Sequence, residues 1–191
     1  GLELMNYLLQ AAKDKEVDIV TGARASQLFT RADGTVVAVR IERPDGGTED
    51  VACKVLILAC NGYGGNREMV RQHIPERAQA SYFGHAGNTG DAVIWGVELG
   101  AACADMGAYQ GHGSIADPHA VLITWALMME GGIQVNANGL RFSSEHAGYS
   151  EHAAQLLQQP RGFGWNIYDQ RIHELGLQFE DYRLAQSVGA I

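Results

Sequence analysis

Lys54-Val55-Leu56-Ile57-Leu58-Ala59-Cys60, running straight into Asn61-Gly62-Tyr63-Gly64-Gly65-Asn66, is the stretch on which the fold turns. Its apolar residues are consecutive rather than alternating, which is the pattern of a strand covered on both faces in a parallel sheet. A sheet held between layers is therefore expected, with a glycine-rich turn at the strand's end and a short helix from an Asn66 cap through Gln72. Glycines in that place invite a dinucleotide reading, in which backbone N–H groups at a helix N-terminus hold a pyrophosphate. The spacing rejects it, because after Gly62 and Gly64 the third glycine of G-x-G-x-x-G falls at Arg67. What the turn does offer is a strand end open to a flat ligand, since glycine brings no side chain to obstruct the approach.

Upstream, Met5, Leu8, Leu9 and Ala12 share one helical face that the charged run Lys13–Glu16 closes. Val17–Val20, Ala25–Thr30, Thr35–Ile41 and Glu49–Cys53 read as strands, the last three separated by Ala32-Asp33-Gly34 and Pro44-Asp45-Gly46-Gly47. Asp-Gly between β-rich runs signals hairpins, because glycine takes positive φ without strain. A small antiparallel meander is expected, with Glu42, Asp45, Glu49 and Asp50 as a solvated acidic rim.

Downstream, a helix starts at Thr89 or Asp91, carries Val93, Ile94, Val97 and Leu99, and stops at Gly100. Ala120–Met129 is an apolar run, helical or extended. Gly131–Asn136 and Leu140–Phe142 flank the turn Asn138-Gly139 as a second hairpin. Ser150 caps a helix through Gln158 that Pro160 ends, Phe163–Tyr168 is a strand, and Asp169–Leu175 is the last helix. Tyr109, Trp125, Phe142, Trp165 and Cys103 read as core.

The chain has 191 residues, 46% of them hydrophobic, with 22 acidic residues against 14 basic ones and a net charge of −8. Basic residues stand singly, so no stripe exists to neutralise a nucleic-acid backbone. The apolar runs Val55–Cys60 and Val121–Met129 are far shorter than the ~20 residues that cross a bilayer. Cys53, Cys60 and Cys103 form no CxxC and cannot build a disulfide framework. The histidines at 73, 85, 119, 146, 152 and 173 show no HExxH, and most of them are expected on the surface or in loops. A reducing, cytoplasmic setting without a bound metal is the expectation. The apolar helix already under way at Leu2 and the close on Val188-Gly189-Ala190-Ile191 read as an internal piece of a longer protein, whose orphaned sheet edge would favour self-association.

Val55–Asn66, Asn88-Thr89-Gly90-Asp91, Gly100-Ala101 with Asp105-Met106, Gln110-Gly111-His112, Glu130–Asn136, and Gly139-Leu140-Arg141-Phe142 with Glu145 stand in this order along the chain. In this set the sequence resembles the flavoprotein family of fumarate reductases, succinate dehydrogenases and 3-ketosteroid dehydrogenases. The resemblance implies an α/β fold with an α+β cap. Residues 1–109 would be the later part of a Rossmann-like FAD-binding domain, with a central strand and the meander beside the adenine end of FAD. Residues 110–191 would begin the cap, or clamp, domain that closes over substrate. It further implies FAD contacts from the backbone of Ala59, Cys60, Asn61 and Gly62, from Thr89, Gly90 and Asp91, and from Gln110 near the flavin ring.

The departures from that pattern bear on chemistry. Fumarate reductases carry His-Pro-Thr where this chain has His112-Gly113-Ser114, and a Glu and an Arg of the proton path where it has Trp125 and Met128. Their catalytic arginine stands eight residues beyond the Arg of the Arg-Phe pair, and here that position is Tyr149. In the ketosteroid dehydrogenases that position is a tyrosine, and Ser144–Tyr149 matches their segment at Glu145 and Tyr149. The expected activity is hydride transfer between FAD and a C–C bond next to a carbonyl or carboxylate of a small molecule. Tyr149 would handle the proton, with His146 or His112 beside it, and His112 would donate to the substrate oxygen. The alternative is a flavin-binding or structural module with no dehydrogenase activity of its own.

Overall fold

A computed structural model describes residues 2–191. Its elements, in chain order, are α1 (Leu2–Asp14), β1 (Arg24–Thr30), β2 (Val36–Glu42), β3 (Thr48–Ala52), α2 (Arg67–His73), α3 (Asp91–Glu98), β4 (Ile115–Ala116), β5 (Val121–Leu122), α4 (Ala126–Met129), β6 (Ile133–Asn136), α5 (Tyr149–Leu156), β7 (Gly164–Ile167), α6 (Gln170–Gly176) and α7 (Glu180–Ser187). This is a mixed α/β chain with three small antiparallel sheets. It divides into two compact units, Gly1–Gly62 with Gly90–Ala102, and Tyr63–Thr89 with Cys103–Ile191.

In the first unit the expected meander is present, in the order β1-β2-β3. Gly34 and Gly46 turn it at φ 83° and 84°, where the side chains of Asp33 and Asp45 accept the amide hydrogens of Thr35 and Gly47. The acidic rim is exposed as expected, and Glu42, Glu49 and Asp50 are also ion-paired. Arg40 forks onto Asp50, its direct cross-strand neighbour, at 2.8 and 2.9 Å, and Arg24 meets Glu42 at 2.9 Å. Val17–Val20 forms no strand.

The central strand is the main correction. Residues 54–60 lie outside every sheet, and Val55 and Ile57 are 77% and 80% exposed. A strand exists only through its ladder, and among the described residues none pairs with this one. The apolar face of α1 is likewise exposed, with no buried residue in the helix. Helix α3 starts at Asp91, one of the two expected positions, after an N-cap Gly90 that sits in the left-handed region at φ 87°. Gly100, also left-handed, follows its end as expected.

The second unit holds the core: Ile123, Trp125, Leu127, Met128, Ile172, Tyr182 and Ala185. Asn66 caps α2 as expected, accepting from the amides of Glu68 and Met69, and Asp169 caps α6 through Ile172. The Ala120–Met129 run resolves into β5 and the single turn α4. The second hairpin shrinks to one bridge, Val135 to Arg141, because β6 spends its ladder on β7, far along the chain. Ser150 lies inside α5, whose N-cap is Gly148, so Tyr149 opens a helix instead of sitting in a loop. Helix α7 is an addition, tied in by Tyr182, whose hydroxyl bonds both His173 Nδ1 and Tyr168 at 2.9 Å.

Three expected core residues are exposed. Trp165 alternates outward on β7, where the two-stranded sheet is covered on one face only, and is 61% exposed. Tyr109 lies on a loop under the Arg77 guanidinium, and Cys103 follows α3 in irregular chain. His152 departs from the surface or loop position expected of most histidines and is fully buried on α5.

Candidate active site

The loop 110–114 runs along α5 because two of its residues have no side chain. A Cβ on Gly111 would come within 2.9 Å of the Ala153 Cβ, and one on Gly113 within 3.1 Å of the Trp125 ring. Two hydrogen bonds hold that close passage. Ser150 Oγ donates to the Gly111 carbonyl at 3.0 Å, and Gln134 Nε2 donates to the Gly113 carbonyl at 3.0 Å.

This placement gathers three sequence-predicted residues. His112 stacks on Tyr149, with ring centroids 5.1 Å apart and planes 25° from parallel, and meets Trp125 edge-on at 6.1 Å. Gln110 Nε2 donates to the Tyr149 hydroxyl at 2.7 Å. The Ser114 amide donates to His112 Nδ1 at 3.2 Å, so in the neutral ring the proton sits on Nε2, which is left as a donor. Burial pushes the His112 imidazole below its ordinary pKa, and the Ser114 backbone offsets that only in part. Among the described residues, His146 makes no hydrogen bond or ring contact with Tyr149.

Behind the loop lies a buried polar group that sequence reading missed. Gln134 Nε2 also donates to Asn166 Oδ1 at 2.8 Å, and Asn166 Nδ2 reaches Ser114 Oγ at 2.6 Å. Gln134 Oε1 faces His152 Nε2 at 3.0 Å, and the His152 ring packs on Trp125 and Phe142 with centroids 5.0 Å away in each case. Burial pushes the His152 imidazole pKa down. Glu145, 1% exposed, accepts the Gln134 amide at 2.8 Å and the Arg141 fork at 2.5 to 3.2 Å. Burial alone would raise its pKa, but Arg141 and the Gln134 amide outweigh that and hold the carboxyl below its ordinary value. One signal was available: Gln134 and Asn136 alternate with Ile133 and Val135, a polar stripe on the buried face of β6.

Ala59, Cys60, Asn61 and Gly62 are exposed at the end of the first segment of their unit. Asn61 is left-handed at φ 64°, its side chain accepting from the Gly62 amide at 2.9 Å, and a Cβ on Gly62 would meet nothing within 4 Å. The next glycines serve the protein itself: a Cβ on Gly64 would strike the Tyr82 ring at 2.2 Å, and one on Gly65 the Ala86 carbonyl at 2.7 Å. Thr89 donates through its amide to Gly87 at 2.9 Å, while Gly90 and Asp91 open α3 with no side-chain cap on Gly90. An unobstructed glycine beside a left-handed residue suits a group that binds through close backbone contact.

The profile of the FAD binding domain family matches residues 1–172. The probable fumarate reductase of Shewanella frigidimarina (strain NCIMB 400) is 28% identical over 182 residues, which is 95% of this chain and 31% of that protein. The open conformation of a flavocytochrome c3 fumarate reductase superposes with a TM-score of 0.79 and 26% identity, over 98% of this chain and 36% of that one. The 3-ketosteroid-delta4-(5alpha)-dehydrogenase of Rhodococcus jostii RHA1 superposes with a TM-score of 0.65 and 24% identity, a likeness of fold, over 91% of this chain and 34% of that one. The chain thus spans about a third of the length of the relatives it matches.

Proposed function

The chain belongs to the FAD binding domain family, whose cofactor is FAD, and from that premise we propose that it is part of a flavin-dependent oxidoreductase. Residues 1–109 contribute to holding the cofactor and residues 110–191 begin the substrate cap. The backbone of Ala59, Cys60, Asn61 and Gly62, with Thr89, Gly90 and Asp91, is the set that would hold FAD; the open Gly62 and left-handed Asn61 support that assignment. Bound FAD supplies a two-electron acceptor for a C–C bond next to a carbonyl or carboxylate.

The protein's own residues handle the proton. His112 presents Nε2–H to the substrate oxygen and polarises it, which acidifies the neighbouring carbon. Tyr149 Oη, as phenolate, takes the proton from that carbon in the oxidation direction, and as phenol returns it in the reverse. The loop's close packing on α5 keeps the two groups in register. A phenol beside a neutral imidazole, where the fumarate-reductase pattern places an arginine, favours oxidation of the bond over fumarate reduction. The observation that carries the reading is the meeting of one loop, bearing Gln110 and His112, with Tyr149 at the start of α5. Stopped-flow mixing of the full-length protein with ketone and carboxylate donors should bleach the flavin. Failure of every donor, with reoxidation by fumarate, would reverse the direction; failure of both reactions would leave a flavin-binding module.

A further inference from the structure

We infer that Gln110 is a positioning residue for Tyr149, fixing the direction in which the phenol oxygen exchanges its proton. This rests on Tyr149 handling a proton, as proposed above. The amide donates its Nε2–H to the phenol oxygen at 2.7 Å. A phenol has one proton, so with that acceptor site taken by Gln110 the O–H points away from Gln110, toward whatever the site binds. The same donated hydrogen bond stabilises negative charge on the oxygen when the proton leaves.

The contact is built rather than incidental. The next residues on the two segments are also joined, Ser150 Oγ to the Gly111 carbonyl at 3.0 Å, which sets the loop against the helix at two adjacent points. The near-contact of Gly111 with Ala153 fixes how deep the loop sits, and the stacked His112 ring fixes the plane of the phenol. Both partners are therefore held before any ligand arrives. One Gln110 hydrogen is committed to Tyr149, which leaves its other N–H and its carbonyl oxygen for further partners.

The test uses the intact flavoprotein and two substitutions at one position. Gln110→Glu keeps the shape but has no N–H to donate, and Gln110→Leu has neither donor nor acceptor. Both should lower kcat about tenfold, the size of one hydrogen bond, while KM stays within about twofold. The second readout needs no turnover: one Gln110 side-chain amide proton should resonate downfield and exchange slowly in NMR spectra, and Tyr149→Phe should return it to ordinary values. An amide signal indifferent to Tyr149→Phe, or a Gln110→Glu variant with unchanged kcat, would overturn the inference. If Tyr149→Phe itself leaves turnover normal, the reading of Tyr149 has failed instead, and the amide signal still reports whether the bond exists.

Discussion

Replacing Glu145 with alanine should cost the chain about 3 kcal/mol of stability, and the components can be worked from its surroundings. The Gln134 amide would be left buried with no acceptor, which costs about 2 kcal/mol. One buried methylene, Cγ, is lost, at about 0.8 kcal/mol. The Arg141 side chain is 54% exposed, so solvent screens the pair and it adds little to the cost. Glu145→Gln retains an acceptor for the Gln134 amide and should cost only about 1 kcal/mol. Urea unfolding followed by tryptophan fluorescence suits the measurement, because Trp125 is buried and donates to the Glu145 carbonyl at 3.1 Å. The pH dependence has a definite sign. The folded carboxyl is held below its ordinary value, so its contribution is fully present above the unfolded value of about 4.3 and is lost as the pH falls through the lower folded value. The advantage of the wild type over Glu145→Gln should hold at neutral pH and fade below pH of about 4. Equal costs for the alanine and glutamine variants would refute the reasoning, since they would show that the stranded Gln134 amide is not what matters.

Further outcomes follow from the same description. Tyr149→Phe in the intact protein should leave FAD bound and reducible while turnover falls by roughly 10²–10⁴; near-normal turnover would make the residue a packing aromatic. This chain purified with excess FAD should show no absorbance near 450 nm, because it lacks the G-x-G-x-x-G pyrophosphate fingerprint; a stoichiometric flavin spectrum would refute that. Light scattering of the chain at high concentration should show self-association through the apolar face of α1 and Val55–Ile57, and a clean monomer would argue against it. Gly113→Val should disturb the His112 loop, read as a changed tryptophan emission, since its Cβ would press the Trp125 ring.

What could be read from the sequence was what is decided locally. Asp-Gly turns fixed the meander, and the caps at Asn66 and Asp169 fixed two helices, because each depends on residues within a few positions. The run Val55–Cys60 had the composition of a buried strand, but a strand's existence depends on a neighbour that composition cannot supply. The Asn138-Gly139 turn was legible and its ladder was not, since β6 takes its partner from residues 164–167. His112 and Tyr149 could be named by pattern. Gln134 and His152 could not be paired, because a buried hydrogen bond between distant positions leaves no local mark.

The bonds behind the His112 loop share one polarity. Gln134 Oε1 can only accept, so His152 must donate through Nε2; Gln134 donates in turn to Asn166, and Asn166 to Ser114. Every proton along this line points the same way, from the helix interior toward the loop, and aligned dipoles strengthen one another. An amide has chemically distinct ends, so no single member can turn around without forcing two oxygens or two N–H groups together. The row therefore behaves as one unit, held as a whole or lost as a whole. A change at His152 is felt at Ser114, whose own amide decides which nitrogen of His112 carries the proton.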